Sequence, residues 1–352
     1  MEQKSDTIIS FIVPAYNCEN SLNRCLESIE QDIQFLKGNS EVLIVENGSN
    51  DSTWSVANKL ANKYSNVRIL KSKKGVSRAR NKGIEVSNGE KLVFVDADDE
   101  WVAGSCEKIL KQPDSDLLMC GYYKSDKQII HDYQNMNTIL HESLDDFKAW
   151  LLIRPTLRMQ VWAKVFKKSV IKRHNIWFDN SLSFSEDSEF LLRYVMRCNS
   201  VEVVNFPVYR YTCYGASAVR TYDPQRQQMY LKSLEASSKD VKDEPKTVQD
   251  AHIEYILAHL NLIAVHDIYD FQIMESFWEK YRKMKVLIRE PVFEKALKTI
   301  PIKKCLTLQL TPEACIKCHL SLVGGVICYV KAFLNHRQQK QISTDNGGNP
   351  GS

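Results

Sequence analysis

The chain has 352 residues, 43% hydrophobic and 26% charged, enough apolar material for one large domain or two smaller ones. A net charge of +4 is too small to indicate a nucleic-acid partner, so none is expected, and no run of about 18 apolar residues is present to span a membrane. Ten cysteines, with no charged and apolar leader at Met1–Asp6, point to reduced thiols in a cytoplasmic protein rather than to a disulfide framework.

The first hundred residues alternate strand and helix patterns. Ile8–Val13 reads as a buried strand ended by Pro14, and Ser21–Phe35 as a helix with Leu22, Cys25, Leu26 and Ile29 on one stripe. Val42–Val45 is a second strand, and the turn Asn47–Ser52 caps a helix beginning near Trp54. Val67–Leu70, a helix over Gly75–Val86 and a strand over Leu92–Val95 complete a βαβαβαβ order. That order implies an α/β fold with a mostly parallel, Rossmann-like sheet flanked by helices.

Further along, Asp116–Cys120 reads as a strand, and Leu144–Ile153 and Ser188–Arg197 as helices. Beyond Pro224 the chain turns helical, which marks a boundary, and the polar, Gly-rich tail from Ile342 is expected to be disordered. The expected organisation is therefore 1–220 as one domain, 221–340 as a helical C-terminal region and 341–352 as a tail. Within the first domain, about 1–105 forms one half and about 106–220 the other.

Asp96, Asp98 and Asp99 crowd three carboxylates at the end of an apolar strand, where open α/β sheets bind ligands. Such a cluster is either a solvated turn or a place for a hard cation, Mn²⁺ or Mg²⁺, which in turn suits a diphosphate. Pro14, Ala15 and Tyr16 end the first strand and either form a plain connection or a wall against a flat base. Glu46 and Asn47 end the second, able to bond a base edge or ribose, or to cap the next helix. Lys74–Asn81, with Arg78 and Arg80, opens a helix where an anion can sit, or faces solvent. Glu186 and Asp187 precede an apolar helix as a capping pair or as a general base.

His252, His259 and His266 recur every seven residues, roughly 10 Å apart along a helix, too far to share a metal, and read as a structural or interface stripe. Cys315–His319 matches the spacing of a haem attachment, a chance match in a chain with no export signal. Leu320–Leu334 is apolar, with Lys317, Arg337 and Lys340 around it. It suits either a buried core helix or a segment lying in a membrane interface.

Taken together, the segments Ser10–Asn17, Val45–Ser52, Gly75–Ile84, Phe94–Asp99, Val161–Phe166, Ser185–Phe190 and Tyr209–Tyr211 resemble the family 2 glycosyltransferases of the GT-A fold, in their bacterial polysaccharide type. The resemblance covers roughly residues 7 to 220. It implies an inverting enzyme that moves a sugar from a nucleotide-diphosphate donor, a UDP-sugar, to a hydroxyl of a glycan or lipid-linked glycan. By the same resemblance Pro14, Ala15, Tyr16, Glu46, Asn47, Arg80, Asn81, Asp96 and Ala97 would line the nucleotide-sugar site. Residues 1–105 would then be the donor half and 106–220 the acceptor half. Asp98 would hold the metal, Asp187 would be the base, and Glu186 its neighbour. One departure stands out: the family more often has Asp-Asp-Gly-Ser where this chain has Glu46-Asn47-Gly48-Ser49. The C-terminal region would shape acceptor access, pair subunits into a homo-oligomer, or meet the inner face of a membrane. A sugar nucleotidyltransferase and a non-catalytic scaffold of a glycan-assembly complex are the competing readings.

Overall fold

The computed structural model describes residues 8–36, 39–124, 127–129, 138–139, 144–212, 225–307 and 310–345. Two compact units emerge, Met1–Lys148 with Thr156–Ser217, and Ala149–Pro155 with Ala218–Ser352.

The first unit is built on a mixed sheet. Its strands are β1 (Ile9–Ala15), β2 (Ser40–Glu46), β3 (Val67–Lys71), β4 (Lys91–Phe94), β5 (Glu100–Trp101), β6 (Leu117–Lys124), β7 (Lys127–Ile129), β8 (Thr138–Ile139), β9 (Lys164–Lys167) and β10 (Val201–Tyr211). Eight follow one path in the order β3-β2-β1-β4-β9-β6-β10-β5, with β7 on β6 and β8 on β10. The first unit's helices are α1 (Leu22–Ile33), α2 (Thr53–Lys63), α3 (Val76–Val86), α4 (Ser105–Leu110), α5 (Leu144–Ile153), α6 (Pro155–Arg158), α7 (Lys168–His174) and α8 (Glu186–Val195), of which α5 and α6 run across the unit boundary.

From β3 to β4 every pairing is parallel, as the βαβ alternation requires. Both faces of such strands are covered, and all seven residues of β1 and of β2 are buried. Beyond β4 the order changes: β9 lies between β4 and β6 and runs antiparallel to both. Lys164–Lys167 is a four-residue strand with a lysine at each end, too short for alternation to reveal it. On one face, Phe94 packs edge-on against Phe166 and Phe178 at 5.4 Å each and against Phe190 at 6.0 Å, tying β4, β9 and α8 together.

The second unit is helical: α9 (Arg226–Asp240), α10 (Lys246–Ile263), α11 (Phe277–Leu287), α12 (Pro291–Thr299), α13 (Ile302–Cys305), α14 (Thr311–Lys317) and α15 (Ser321–Asp345). Pro224 and residues 346–352 of the expected tail lie outside the described residues, and α15 reaches Asp345. Among the described residues no helix is long and apolar enough to cross a membrane.

His252 and His259 of the seven-residue stripe are buried inside α10. His252 Nε2 pairs with Ser237 Oγ at 2.9 Å, and His259 Nδ1 donates to the Tyr255 carbonyl at 2.9 Å. Burial lowers both to about 4, because the charged ring loses its water. Neutral histidines in the fold bind fewer protons than exposed ones near 6.5 in the unfolded chain. Their contribution to stability is therefore complete above pH 6.5 and drains as pH falls toward 4, by up to roughly 2–3 kcal/mol per pH unit for the pair. Thermal unfolding at pH 7.5 and pH 5 is expected to show a lower Tm at pH 5, with a smaller drop in His252→Asn.

Candidate active site

The parallel strands β1, β2 and β4 all end on the same edge of the sheet, so the loops after them converge. Pro14 and Ala15 are buried in the last positions of β1, and Tyr16, the next residue, is 40% exposed with Lys74 Nζ 4.8 Å over its ring. Asn17 follows at φ 48, a left-handed turn that asparagine tolerates, and its Oδ1 accepts from Asn50 N at 3.0 Å.

Glu46 and Asn47 are buried and turned onto backbone. Glu46 Oε1 accepts from Gly48 N at 2.7 Å and from Ser49 N at 2.5 Å. Asn47 Nδ2 donates to the Ala15 carbonyl at 2.9 Å, and its Oδ1 accepts from Gly75 N at 3.2 Å. Asn47 thus ties the end of β1 to the start of α3, while Glu46 closes the turn that follows β2.

At the end of β4 the three aspartates part company. Asp99 is buried; Tyr209 Oη donates to its Oδ2 at 2.6 Å, and Thr212 donates to its Oδ1 from N at 2.7 Å and from Oγ1 at 2.8 Å. Burial, followed by the charge of Asp96, pushes its carboxyl up to about 7, against the bonds from Tyr209 and Thr212. Asp98 is exposed, and its backbone carbonyl is gripped by Arg24 and Thr212 Oγ1. Ala97 between them is buried. Asp96 faces Arg80, whose Nη2 is 3.1 Å from Asp96 Oδ1.

Arg80, on α3, is the centre of the site. Its side chain is only 4% exposed, and Nη1 also meets Asp187 Oδ1 at 2.5 Å and Glu186 Oε1 at 3.2 Å. One guanidinium therefore holds three carboxylates, from the end of β4 and the first turn of α8. Burial alone would lower its pKa, but Asp187, Asp96 and Glu186 raise it, so it stays charged. The next residue, Asn81, grips the chain ahead of α8: its Oδ1 accepts from Phe178 N and its Nδ2 donates to the Phe178 carbonyl, both at 2.9 Å.

Ser185 caps α8 at φ 63, and this left-handed residue aims the next two, Glu186 and Asp187, at Arg80. Burial raises the pKa of both carboxyls, with Arg80 opposing the shift. Asp187 Oδ2, the oxygen not held by Arg80, has Val161 N at 3.4 Å.

The motif residues Trp162, Ala163 and Lys164 form the floor beside this cluster. Trp162 stacks on Tyr209 at 4.8 Å and on Tyr211 at 5.6 Å, and Ala163 turns at φ 55. Lys164 is buried, which lowers its pKa to about 7, with Asp187 pulling it back up. The burial of Lys164 beside Asp187, and the part of Tyr209 and Thr212 in turning Asp99 inward, do not show in the sequence. A lone lysine inside the apolar run Val161–Phe166 was the available signal.

Among the described residues, no group of three or more His, Cys, Asp and Glu side chains is arranged to hold a metal ion by itself. Asp98 is the carboxylate left outward after Asp96 and Asp99 are taken, and a Mg²⁺-like ion needs only one or two protein carboxylates when substrate phosphates supply the rest.

A GT-A glycosyltransferase is the class that this sheet and carboxylate arrangement define. Residues 10–172 match the Glycosyl transferase family 2, which supports a glycosyltransferase. It is 26% identical over 305 residues to the putative glycosyltransferase EpsH of Bacillus subtilis (strain 168), covering 82% of this chain and 85% of that one. The fold is similar to the crystal structure of S. aureus TarS 1-349 in complex with UDP-GlcNAc (TM-score 0.68, 17% identity, 95% of this chain and 92% of that one). It is also similar to the mannosyltransferase PcManGT from Pyrobaculum calidifontis in complex with GDP-Man and Mn²⁺ (TM-score 0.51, 16% identity, 93% and 87%).

Proposed function

We propose that the protein transfers a sugar, with inversion, from a UDP-sugar to a hydroxyl of a glycan or lipid-linked glycan, working peripherally on the inner face of the membrane, with Asp187 as the base. The observation that supports this reading is the Arg80 clamp, which fixes Asp187 through Oδ1 while Oδ2 keeps only the long 3.4 Å bond from Val161 N, one that a substrate hydroxyl would join or displace. A carboxyl whose affinity for protons is raised by burial is a better general base near neutral pH. The acceptor oxygen forms its bond to the anomeric carbon as the bond to the diphosphate oxygen breaks. The hydroxyl proton passes to Asp187 Oδ2, and the electron pair leaves with the diphosphate. A divalent ion held by Asp98, Mn²⁺ or Mg²⁺, would neutralise charge on that leaving group when bound. Glu186, held on the same clamp beside the base, would hold the acceptor or the sugar. Tyr16, half exposed at the end of β1, offers a ring for the base, and Pro14, Ala15, Glu46, Asn47 and Ala97 shape the wall behind it.

The test is hydrolysis of UDP-, GDP- and dTDP-sugars with Mn²⁺ by wild type and Asp98→Asn. Metal-dependent release of UDP from one sugar nucleotide, falling by about 10²-fold or more in Asp98→Asn, is the expected result. Release of pyrophosphate from a sugar phosphate and UTP would make the protein a nucleotidyltransferase instead. Full cellular function of Asp98→Asn would make it a scaffold.

A further inference from the structure

Helix α15 is built with its small residues inward and its large ones outward. Gly324, Gly325, Cys328 and Ala332 face the helical unit and are buried. Leu322, Val323, Val326, Val330, Phe333 and Leu334 lie on the opposite stripe, each between 41 and 52% exposed. At 100° per residue these six fall within about one third of the helix circumference, one continuous apolar face.

The orientation is enforced by close approach. A Cβ on Gly324 would lie 2.9 Å from the Pro312 carbonyl oxygen, and one on Gly325 would lie 2.7 Å from Tyr269 Oη. No leucine or valine of the outer stripe could take those inner positions, so the helix cannot roll to bury its apolar face. A row of large side chains held in water on one helix is the signature of a surface that meets something apolar.

Charge selects the partner. Between Lys280 and Lys340 the chain has thirteen Lys and Arg against three Asp and Glu, while the remainder of the chain is net acidic. Arg282, Lys285, Lys295 and Lys303 are exposed, Lys283, Lys298 and Lys304 are exposed but pair with Glu275, Glu294 and Glu254, and Arg337 continues the outer stripe of α15. Two copies joined through this region would bring like charges together, whereas anionic headgroups neutralise them. We infer that the outer face of α15 lies on an anionic lipid bilayer, its apolar side chains in the acyl–headgroup boundary and Arg337 on the same stripe among the phosphates.

The inference deepens the peripheral part of the proposed function, yet it stands on the helical unit alone, so vesicle binding and sugar transfer can fail separately. The experiment is co-sedimentation of the full chain with vesicles of phosphatidylcholine alone and of phosphatidylcholine mixed with phosphatidylglycerol. Light scattering alongside reports the oligomeric state. Binding is expected to the mixed vesicles only, weakening as salt rises from about 0.05 to 0.5 M. The double variant Val326→Asp, Val330→Asp is expected to reduce it about tenfold or more, with Tm unchanged because both side chains already face water. Equal binding by the variant, or equal binding to neutral vesicles, would overturn the inference. So would a dimer that the double variant dissolves while wild type ignores both vesicles.

Discussion

Asp187→Asn is expected to lower kcat by about 10²- to 10⁴-fold while leaving donor binding unchanged, the range a positioned general base contributes. The asparagine keeps an oxygen near Arg80 Nη1 but cannot take the acceptor proton. Stability should not suffer. One guanidinium faces three carboxylates in this site, and removing one negative charge relieves repulsion among Asp96, Glu186 and residue 187. Equal or higher Tm together with the kinetic loss would separate catalysis from folding, since natural sites trade stability for function. The measurement is single-turnover transfer with saturating donor, beside calorimetric unfolding of both proteins. A kcat within threefold of wild type would remove Asp187 from the role of base.

Arg80→Ala is expected to destabilise the first unit by about 3–5 kcal/mol, the cost of leaving buried charge uncompensated. Asp96, Glu186 and Asp187 would face one another with their common cation gone, in a site where Glu186 and Asp187 are already shifted upward by burial. In the variant, protonating one carboxyl relieves the repulsion. Carboxyls with folded-state pKa values above their unfolded ones add stability at low pH that disappears as pH rises through the folded values. The gap between variant and wild type should therefore be narrower at pH 5 than at pH 8. Urea unfolding at the two pH values reads this directly, and a gap independent of pH would show that Arg80 acts only through packing.

Much of the first half of the sheet was legible because period and punctuation agree there. β1, β2 and the α3 pattern are marked by continuous apolar runs, the stripe on α1 and the turn residues 47–52. Of the later strands, β6 overlaps the expected Asp116–Cys120, but β9 and β10 were not legible, for different reasons. β9 is four residues long, and β10 is bulged between Val203 and Pro207, so neither shows clean alternation. The seven-residue stripe of histidines reads as structural or interface, and two of them, His252 and His259 on α10, are buried with polar partners in the helical unit.

The sequence by itself determined the chemistry on offer: strand-ending carboxylates at Asp96–Asp99, an acid pair at Glu186–Asp187, and an arginine opening a helix. Those choices are local, because turn residues and apolar period act over a few neighbours. Only tertiary structure decided how the groups were shared out. Arg80 and Asp187 are 107 positions apart in the chain, yet 2.5 Å apart in space. Asp99 turns inward because Tyr209 and Thr212, from the far end of β10, supply its donors, which leaves Asp98 facing out. Likewise, the apolar run 320–334 reads alike as core or as surface until Pro312 and Tyr269 press against its glycines and hold its large residues outward. Which side chain meets which charge depends on contacts between distant segments, and no local pattern encodes those.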